Sequence, residues 1–256
     1  MGDPLAALSA VMNWTIFMPV LGRIPRAEPK VPGGRPACAP LLMFKILAFQ
    51  SFYGLSEADA VPDQNTIREF RENLTQAEPF SELFAAFNAR LTQQGFITCK
   101  GQIIDASFVE VPRQRNRRSE NAAIKDEEVP AGWEQDERRL VHKDLDARWT
   151  KVNEQSCYGC KDRVVADLAS KLIVRAEVTP VGAHESQVLD SLTQPGDPET
   201  WADTASAGAN CEAIFESKGI IAHVCEKGTR GQALTQGQQR SNRAKSRQRV
   251  RVEHIF

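Results

Sequence analysis

The order of patterns along this 256-residue chain predicts an α+β fold, with a small helical module in front of a mixed sheet flanked by helices. Three observations predict it. Residues 40–53, P-L-L-M-F-K-I-L-A-F-Q-S-F-Y, are apolar on nearly every side, and two amphipathic helical patterns follow before residue 95. At Gly101 the pattern changes to a β-branched strand, Q-I-I-D-A-S-F-V-E-V. From there the order is strand, insertion, strand, strand, helix, strand, helix, strand, helix, which is that of a ribonuclease-H-like sheet.

Residues 1–37 hold Pro19, Pro25, Pro29, Pro32 and Pro36 with Gly33-Gly34, which predicts an irregular arm. Residues 38–98 are expected to form a helical N-terminal module, to which the resemblance described below assigns DNA binding or dimerisation. Pro40 suits a first helical turn. Asp63 offers an N-cap to T-I-R-E-F-R-E-N-L, whose Ile67, Phe70 and Leu74 share a face. Phe80, Leu83, Phe84, Phe87 and Leu91 mark a third helix. Residues 99–256 form the sheet domain. Its first strand ends at Pro112, and 113–155 reads as a polar insertion that packs little of itself, opening with Arg113, Arg115, Arg117 and Arg118. D-R-V-V-A-D (162–167) and K-L-I-V-R-A-E-V-T (171–179) are two strands, and the short link Leu168-Ala169-Ser170 suits a hairpin. S-Q-V-L-D-S-L (186–192) is a helix and E-T-W-A-D (199–203) a short strand. N-C-E-A-I-F-E-S-K (210–218) is a helix closed by Gly219, and I-I-A-H-V-C (220–225) a strand. In the final stretch Arg243, Lys245, Arg247, Arg249 and Arg251 recur at every second position, a strand period. Helix is predicted there from the element order and from the spacing of four between Arg249 and Glu253.

Composition is that of a globular protein, 41% hydrophobic and 25% charged. No apolar run approaches the roughly 18 residues of a membrane span, and the N-terminus has no secretory pattern. The six cysteines form no dense framework, which fits a reducing cytoplasm. The net charge of −1 conceals an asymmetry: eight basic residues and no acid lie between Lys227 and Arg251. A solvated helix face accounts for that run as well as a polyanion site does.

One acid, Glu253, ends the basic run. Asp105 sits in the apolar strand I-I-D-A-S-F-V, and Asp203 closes the run T-W-A-D. In a ribonuclease-H-like layout the first strand, the fourth strand and the last helix converge at one edge of the sheet. The expectation is that Asp105, Asp203 and Glu253 form one cluster. Two carboxylates about 4 Å apart repel by roughly 4 kcal/mol at an effective dielectric of 20. Oxygen ligands select hard ions, so two Mg²⁺ or Mn²⁺ ions are the expected cofactors. Such a pair activates a water or a 3′-hydroxyl for attack on phosphorus. The basic residues, Lys161 included, would hold flanking phosphates without reading sequence.

The chain resembles bacterial insertion-sequence transposases of the DDE type, in the insertion sequence 5 family. The resemblance rests on V-P-D-Q-N-T-I-R-E-F-R-E-N-L (61–74), G-Q-I-I-D-A-S-F-V-E-V-P-R-Q-R-N (101–116), D-A-R-W-T-K (146–151) and Y-G-C-K (158–161). It continues in H-E-S-Q-V-L-D (184–190), W-A-D-T-A (201–205) and R-V-R-V-E-H-I-F (249–256). It implies cleavage at element ends and joining of the freed 3′ ends to target DNA. Asp105, Asp203 and Glu253 match the family's metal-binding acids, and Arg249 a basic position of its terminal motif. Double-stranded DNA (terminal inverted repeats and target), a homodimer and a bacterial, nucleoid-associated location are the implied partners and place, with no membrane. There are departures. Ser206 stands where relatives carry Tyr, Cys160 and Arg163 replace Tyr and His, and the stretch between Glu57 and Val61 is short. The chain also ends three residues after Glu253, as an internally shortened and C-terminally truncated copy would. The alternative reading is a catalytically dead DNA-binding protein that represses transposition. Cys157 and Cys160 form a lone C-x-x-C, a weak zinc or redox signal. Glu185 after His184 reads as ordinary helix-dipole complementation, and His254 as a surface residue.

Overall fold

The computed structural model describes residues 12–25, 37–53, 63–77, 79–126, 128–136, 143–152, 155–181, 183, 185–228 and 233–250. The chain divides into two compact units, Met1–Phe96 and Ile97–Phe256.

In the first unit the described part of the proline-rich segment is folded, which differs from an irregular arm. A single 3-10 turn, Trp14–Phe17, runs into a short helix, Met18–Leu21. Asn13 caps the turn, its Oδ1 accepting from the Thr15 amide at 3.1 Å. Pro19 sits in the first helical turn, where a missing N–H costs nothing. Phe17 and Leu21 are buried, and the Phe17 ring lies 5.0 Å from that of Phe44. Phe44 belongs to helix α1 (Pro40–Tyr53), which spans the predicted residues. Helix α2 (Gln64–Gln76) starts at Asp63, whose carboxylate accepts from the amides of Asn65 and Thr66. The side-chain and backbone hydrogen bonds from Thr66 hold the Asp63 carboxyl below its usual value. Ile67 and Leu74 are buried along α2, and Leu83 and Leu91 along α3 (Phe80–Gln93).

The second unit is built on a six-stranded mixed sheet. Its strands are β1 (Gln102–Glu110), β2 (Arg148–Val152), β3 (Gln155–Asp167), β4 (Ile173–Pro180), β5 (Thr200–Ala202) and β6 (Ala222–Val224). The order is β2-β3-β1-β5-β6, with β4 also on β3. β3 runs antiparallel to β1, β2 and β4, while β1, β5 and β6 are parallel. Helices α5 (Glu185–Leu192) and α6 (Ala209–Ser217) cover one face. There Val188, Leu189 and Leu192 of α5 and Cys211 and Phe215 of α6 close over Ile104, Val165 and Ala202. Strand alternation turns Ile103, Ala166 and Trp201 to the opposite face, where they cluster with Leu168. Gly219 follows α6 with φ of 68°, the left-handed conformation predicted for it.

Two parts of this unit depart from the sequence reading. β3 begins at Gln155, not near Asp162, because its polar first half has partners on the neighbouring strand: Trp149 faces Tyr158 and Lys151 faces Ser156. The insertion also packs more than its polarity implies. Helix α4 (Arg118–Lys125) lies within it, and Trp133 is fully buried. Trp133 Nε1 donates to Glu120 Oε1 at 3.1 Å, and Arg148 Nη2 donates to the Ile124 carbonyl at 2.7 Å. The first bond holds the insertion together and the second ties it to β2 of the sheet.

Gly159 is required by close approach: a Cβ there would meet the Val109 carbonyl oxygen at 2.0 Å. The β3–β4 turn is organised by Asp167. Its carboxylate accepts from the amides of Thr98, Cys99, Ala169 and Ser170 and from the hydroxyls of Thr98 and Ser170. Burial raises its pKa, but the hydrogen bonds from Ser170, Thr98 and Cys99 outweigh it and leave the carboxyl below its usual value.

Candidate active site

The parallel register of β1 and β5 brings two of the predicted acids level. Gln102 pairs with Thr200 and Ile103 with Trp201. Asp105 lies three residues beyond Gln102, and Asp203 three beyond Thr200, immediately after β5 ends. Both line one small cleft with Lys161, Arg163, Ala205 and Ser206. The sequence puts them there by simple means. β1 is long and β-branched, so it runs on past the short β5. Asp203 stops β5 because its side chain turns back onto the backbone, Oδ1 accepting from the Ala205 amide at 2.8 Å and capping a 3-10 turn, Thr204–Ser206. Ser206, at the position where Tyr is the family pattern, is buried in this turn.

The last helix, α7 (Gln236–Arg249), settles the ambiguous basic stretch as helix. Thr235 and Gln238 form a reciprocal capping box at its start. One stripe of α7 docks on the sheet. Asn242 makes both hydrogen bonds to the Glu226 backbone, at 2.8 and 2.9 Å. Lys245 Nζ donates to the Val224 carbonyl at 2.7 Å. Arg249 Nη2 meets Asp105 Oδ1 at 3.0 Å, with both side chains 21% exposed. A helix carries residues i, i+3 and i+7 on one face, which is why every second basic residue does not point the same way. Lys245 and Arg249 are therefore turned inward to the sheet, whereas Arg243 and Arg247, with Arg240, form an exposed stripe. Arg251 and Glu253 lie outside the described residues, as do His184 and His254. Among the described residues no group of three or more His, Cys, Asp or Glu is placed to hold a metal ion.

One neighbour of the acids, Asp162, was not singled out by the sequence reading. Asp162 pairs with Ser107, two residues along from Asp105 on the same sheet face. Its Oδ1 is buried without a hydrogen-bond partner among the described residues, and burial pushes its carboxyl above the usual value. Alternation on the two strands was the signal that could have found it. Arg163 is buried on the other face, donating to Thr179 Oγ1 and, at 3.4 Å, to the Ala183 carbonyl. The Cys157 and Cys160 side chains, an odd number of residues apart on β3, leave opposite faces and form no chelating pair. Burial raises the Cys160 thiol above its usual value.

The two carboxylates offer oxygen donors of the kind that suits a hard divalent cation, in a cleft that Lys161 and Arg163 also line. Each acid commits one oxygen to the protein, Asp203 to the Ala205 amide and Asp105 to the Arg249 guanidinium.

A mixed sheet in this order, with two carboxylates level where β5 ends beside β1, defines a ribonuclease-H-like α+β domain. The chain belongs to the Transposase DDE domain family, whose model matches residues 100–256, and a second family model, described as a transposase domain, matches residues 1–75. These matches place it among bacterial insertion-sequence DDE transposases. A relative, the "Transposase for insertion sequence element IS1106" of Neisseria meningitidis serogroup B, is 27% identical over 195 residues, which cover 73% of this chain and 64% of the relative. The chain thus spans about two thirds or less of that relative's length. No solved structure matches. Among the described residues no helix is long and apolar enough to cross a membrane.

Proposed function

We propose that this chain is a DNA transposase, of the insertion sequence 5 branch, that cuts at the ends of its element and joins the freed 3′ ends to target DNA. The observation that carries the reading is the level pair Asp105 and Asp203 at the end of β5, in a chain of the DDE family. Glu253, four residues beyond Arg249 in the sequence, is the third acid of the proposed set. Asp105, Asp203 and Glu253 would hold two divalent ions, which when bound would supply activation of the attacking oxygen and charge neutralisation at the scissile phosphate.

The chain's own residues do the rest. Asp105 and Asp203 hold their carboxylates in fixed positions, one on a central strand and one locked by its own turn. Arg249 orients the last helix over the acids and balances Asp105. Lys161, at the cleft, and the exposed Arg240, Arg243 and Arg247 hold the phosphates that flank the cut. Substrates are the element's terminal inverted repeats and target duplex. The working form is a homodimer, and the DNA substrate keeps the protein with the nucleoid.

The test supplies pre-cleaved element ends and a target plasmid with Mn²⁺. Joined products from the parent chain and none from Asp105→Ala or Asp203→Ala support the reading. Equal joining by the parent and both variants, or DNA binding by all three with no metal-dependent product, refutes it.

A further inference from the structure

Away from the acid cleft, one tryptophan is held by its neighbours yet left open. Trp149 on β2 keeps 58% of its surface exposed, whereas Tyr158, its cross-strand partner on β3, is buried. The two rings lie 5.4 Å apart between centroids, inclined at 51°. The Arg113 guanidinium lies over the Trp149 ring, 5.4 Å from its centroid. An indole held by these two neighbours still turns more than half of its surface to water, and the cation over it is a mobile, exposed side chain that a base can replace or stack beside.

The surroundings are cationic. Arg113 and Arg115, both exposed, line a groove with Gln114, Lys143 and Asp144. Lys143 Nζ donates to the Arg115 carbonyl at 3.0 Å and to Asn116 Oδ1 at 2.6 Å, which fixes the shape of the groove. Lys151, exposed, stands two residues from Trp149 and so on the same face of β2. Flat aromatic surface beside phosphate-binding cations is the chemistry that holds an unpaired nucleotide.

The position relates the ring to the acids. Asp105 pairs with Val164, and Trp149 with Tyr158. Val164 and Tyr158 are an even number of residues apart on β3, so Trp149 and Asp105 share one face of the sheet. Six residues of strand separate the two levels by about 20 Å. That distance corresponds to roughly six stacked nucleotides along a strand.

We propose that Trp149, backed by Tyr158 and flanked by Arg113, Arg115 and Lys151, is a stacking platform for an unpaired nucleotide of single-stranded DNA leaving the acid cleft. The proposal rests on the DNA reading above. Charge complementarity and the shared sheet face argue for DNA as the occupant.

The experiment uses the full chain with a single-stranded 12-mer carrying 2-aminopurine, and with the duplex of the same sequence. Expected for Trp149→Ala is about tenfold weaker single-strand binding with loss of the change in 2-aminopurine emission, and unchanged duplex affinity. Trp149→Phe, which keeps a ring, retains most of the single-strand affinity. Lys151→Glu weakens it in a salt-dependent way and provides a variant that leaves the indole in place. Parent-like single-strand binding by Trp149→Ala overturns the proposal. So does a Trp149→Ala chain whose sedimentation mass drops while its single-strand affinity holds, since the ring then serves a protein contact. If the parent binds neither DNA form, the DNA reading itself fails. If it binds duplex but no single strand, only the platform fails.

Discussion

Replacing Asp167 with alanine removes the acceptor for six donors at once. Four of these are backbone amides, those of Thr98, Cys99, Ala169 and Ser170, and the carboxylate serving them is 2% exposed. A buried donor left without a partner costs about 1–3 kcal/mol, less where water enters the space the side chain vacates. Four amides at the low end give a loss of about 3–5 kcal/mol, large against the usual range for one substitution. The assay is urea unfolding of the full chain followed by circular dichroism. With a slope of about 2 kcal/mol per molar, the midpoint falls by roughly 2 M. Asp167→Asn keeps one oxygen and lies between the alanine variant and the parent. The pH dependence follows from the lowered pKa. Asp167 contributes its stability above the usual carboxyl value of 3.8 and loses it as pH falls through the lower folded value. The alanine variant therefore shows a flatter acid limb than the parent. A midpoint shift below about 0.5 M for Asp167→Ala, or an asparagine variant no better than alanine, would refute the claim that this carboxylate organises the turn.

Three further outcomes are expected. Asp162→Asn stabilises the chain near neutral pH, because its folded carboxyl is raised by burial; its contribution is present below the unfolded value and is lost as pH rises through the folded one, so parent and variant converge in acid urea melts. Gly159→Ala forces β1 and β3 apart at the Val109 carbonyl and lowers stability by about 1–3 kcal/mol, read as a drop in thermal midpoint. Arg249→Ala frees the end of α7 from Asp105, and hydrogen exchange of the last turn's amides rises roughly tenfold for the loss of a partly buried pair worth about 1–2 kcal/mol.

The fold was legible where one local signal dominated. The all-apolar α1 and the cap at Asp63 were plain from residue type, and so was Gly219 with its positive φ. The basic stretch was ambiguous because its charges follow a strand period. The capping box Thr235/Gln238 was the local signal for helix, and its T-x-x-Q spacing stands in the sequence. β3's first half was hidden because Q-S-C-Y-G-C-K has no alternating pattern of its own and gains its place from partners on β2. Asp167 was invisible in principle, since two of its donors, Thr98 and Cys99, lie 69 and 68 residues away in sequence. The nearness of Asp105 and Asp203 was legible because topology brings strand ends together. The inward turn of Lys245 and Arg249 was not, because it depends on which stripe of α7 meets the sheet.

The central claim is that Asp105 and Asp203 belong to one divalent-cation site. It is tested most directly by Mn²⁺ binding to the full chain, followed by the loss of free-ion electron paramagnetic resonance signal. The account predicts saturable binding by the parent, abolished by Asp105→Asn and by Asp203→Asn singly, and undisturbed by Asp162→Asn. Saturable binding that survives both single variants would contradict it.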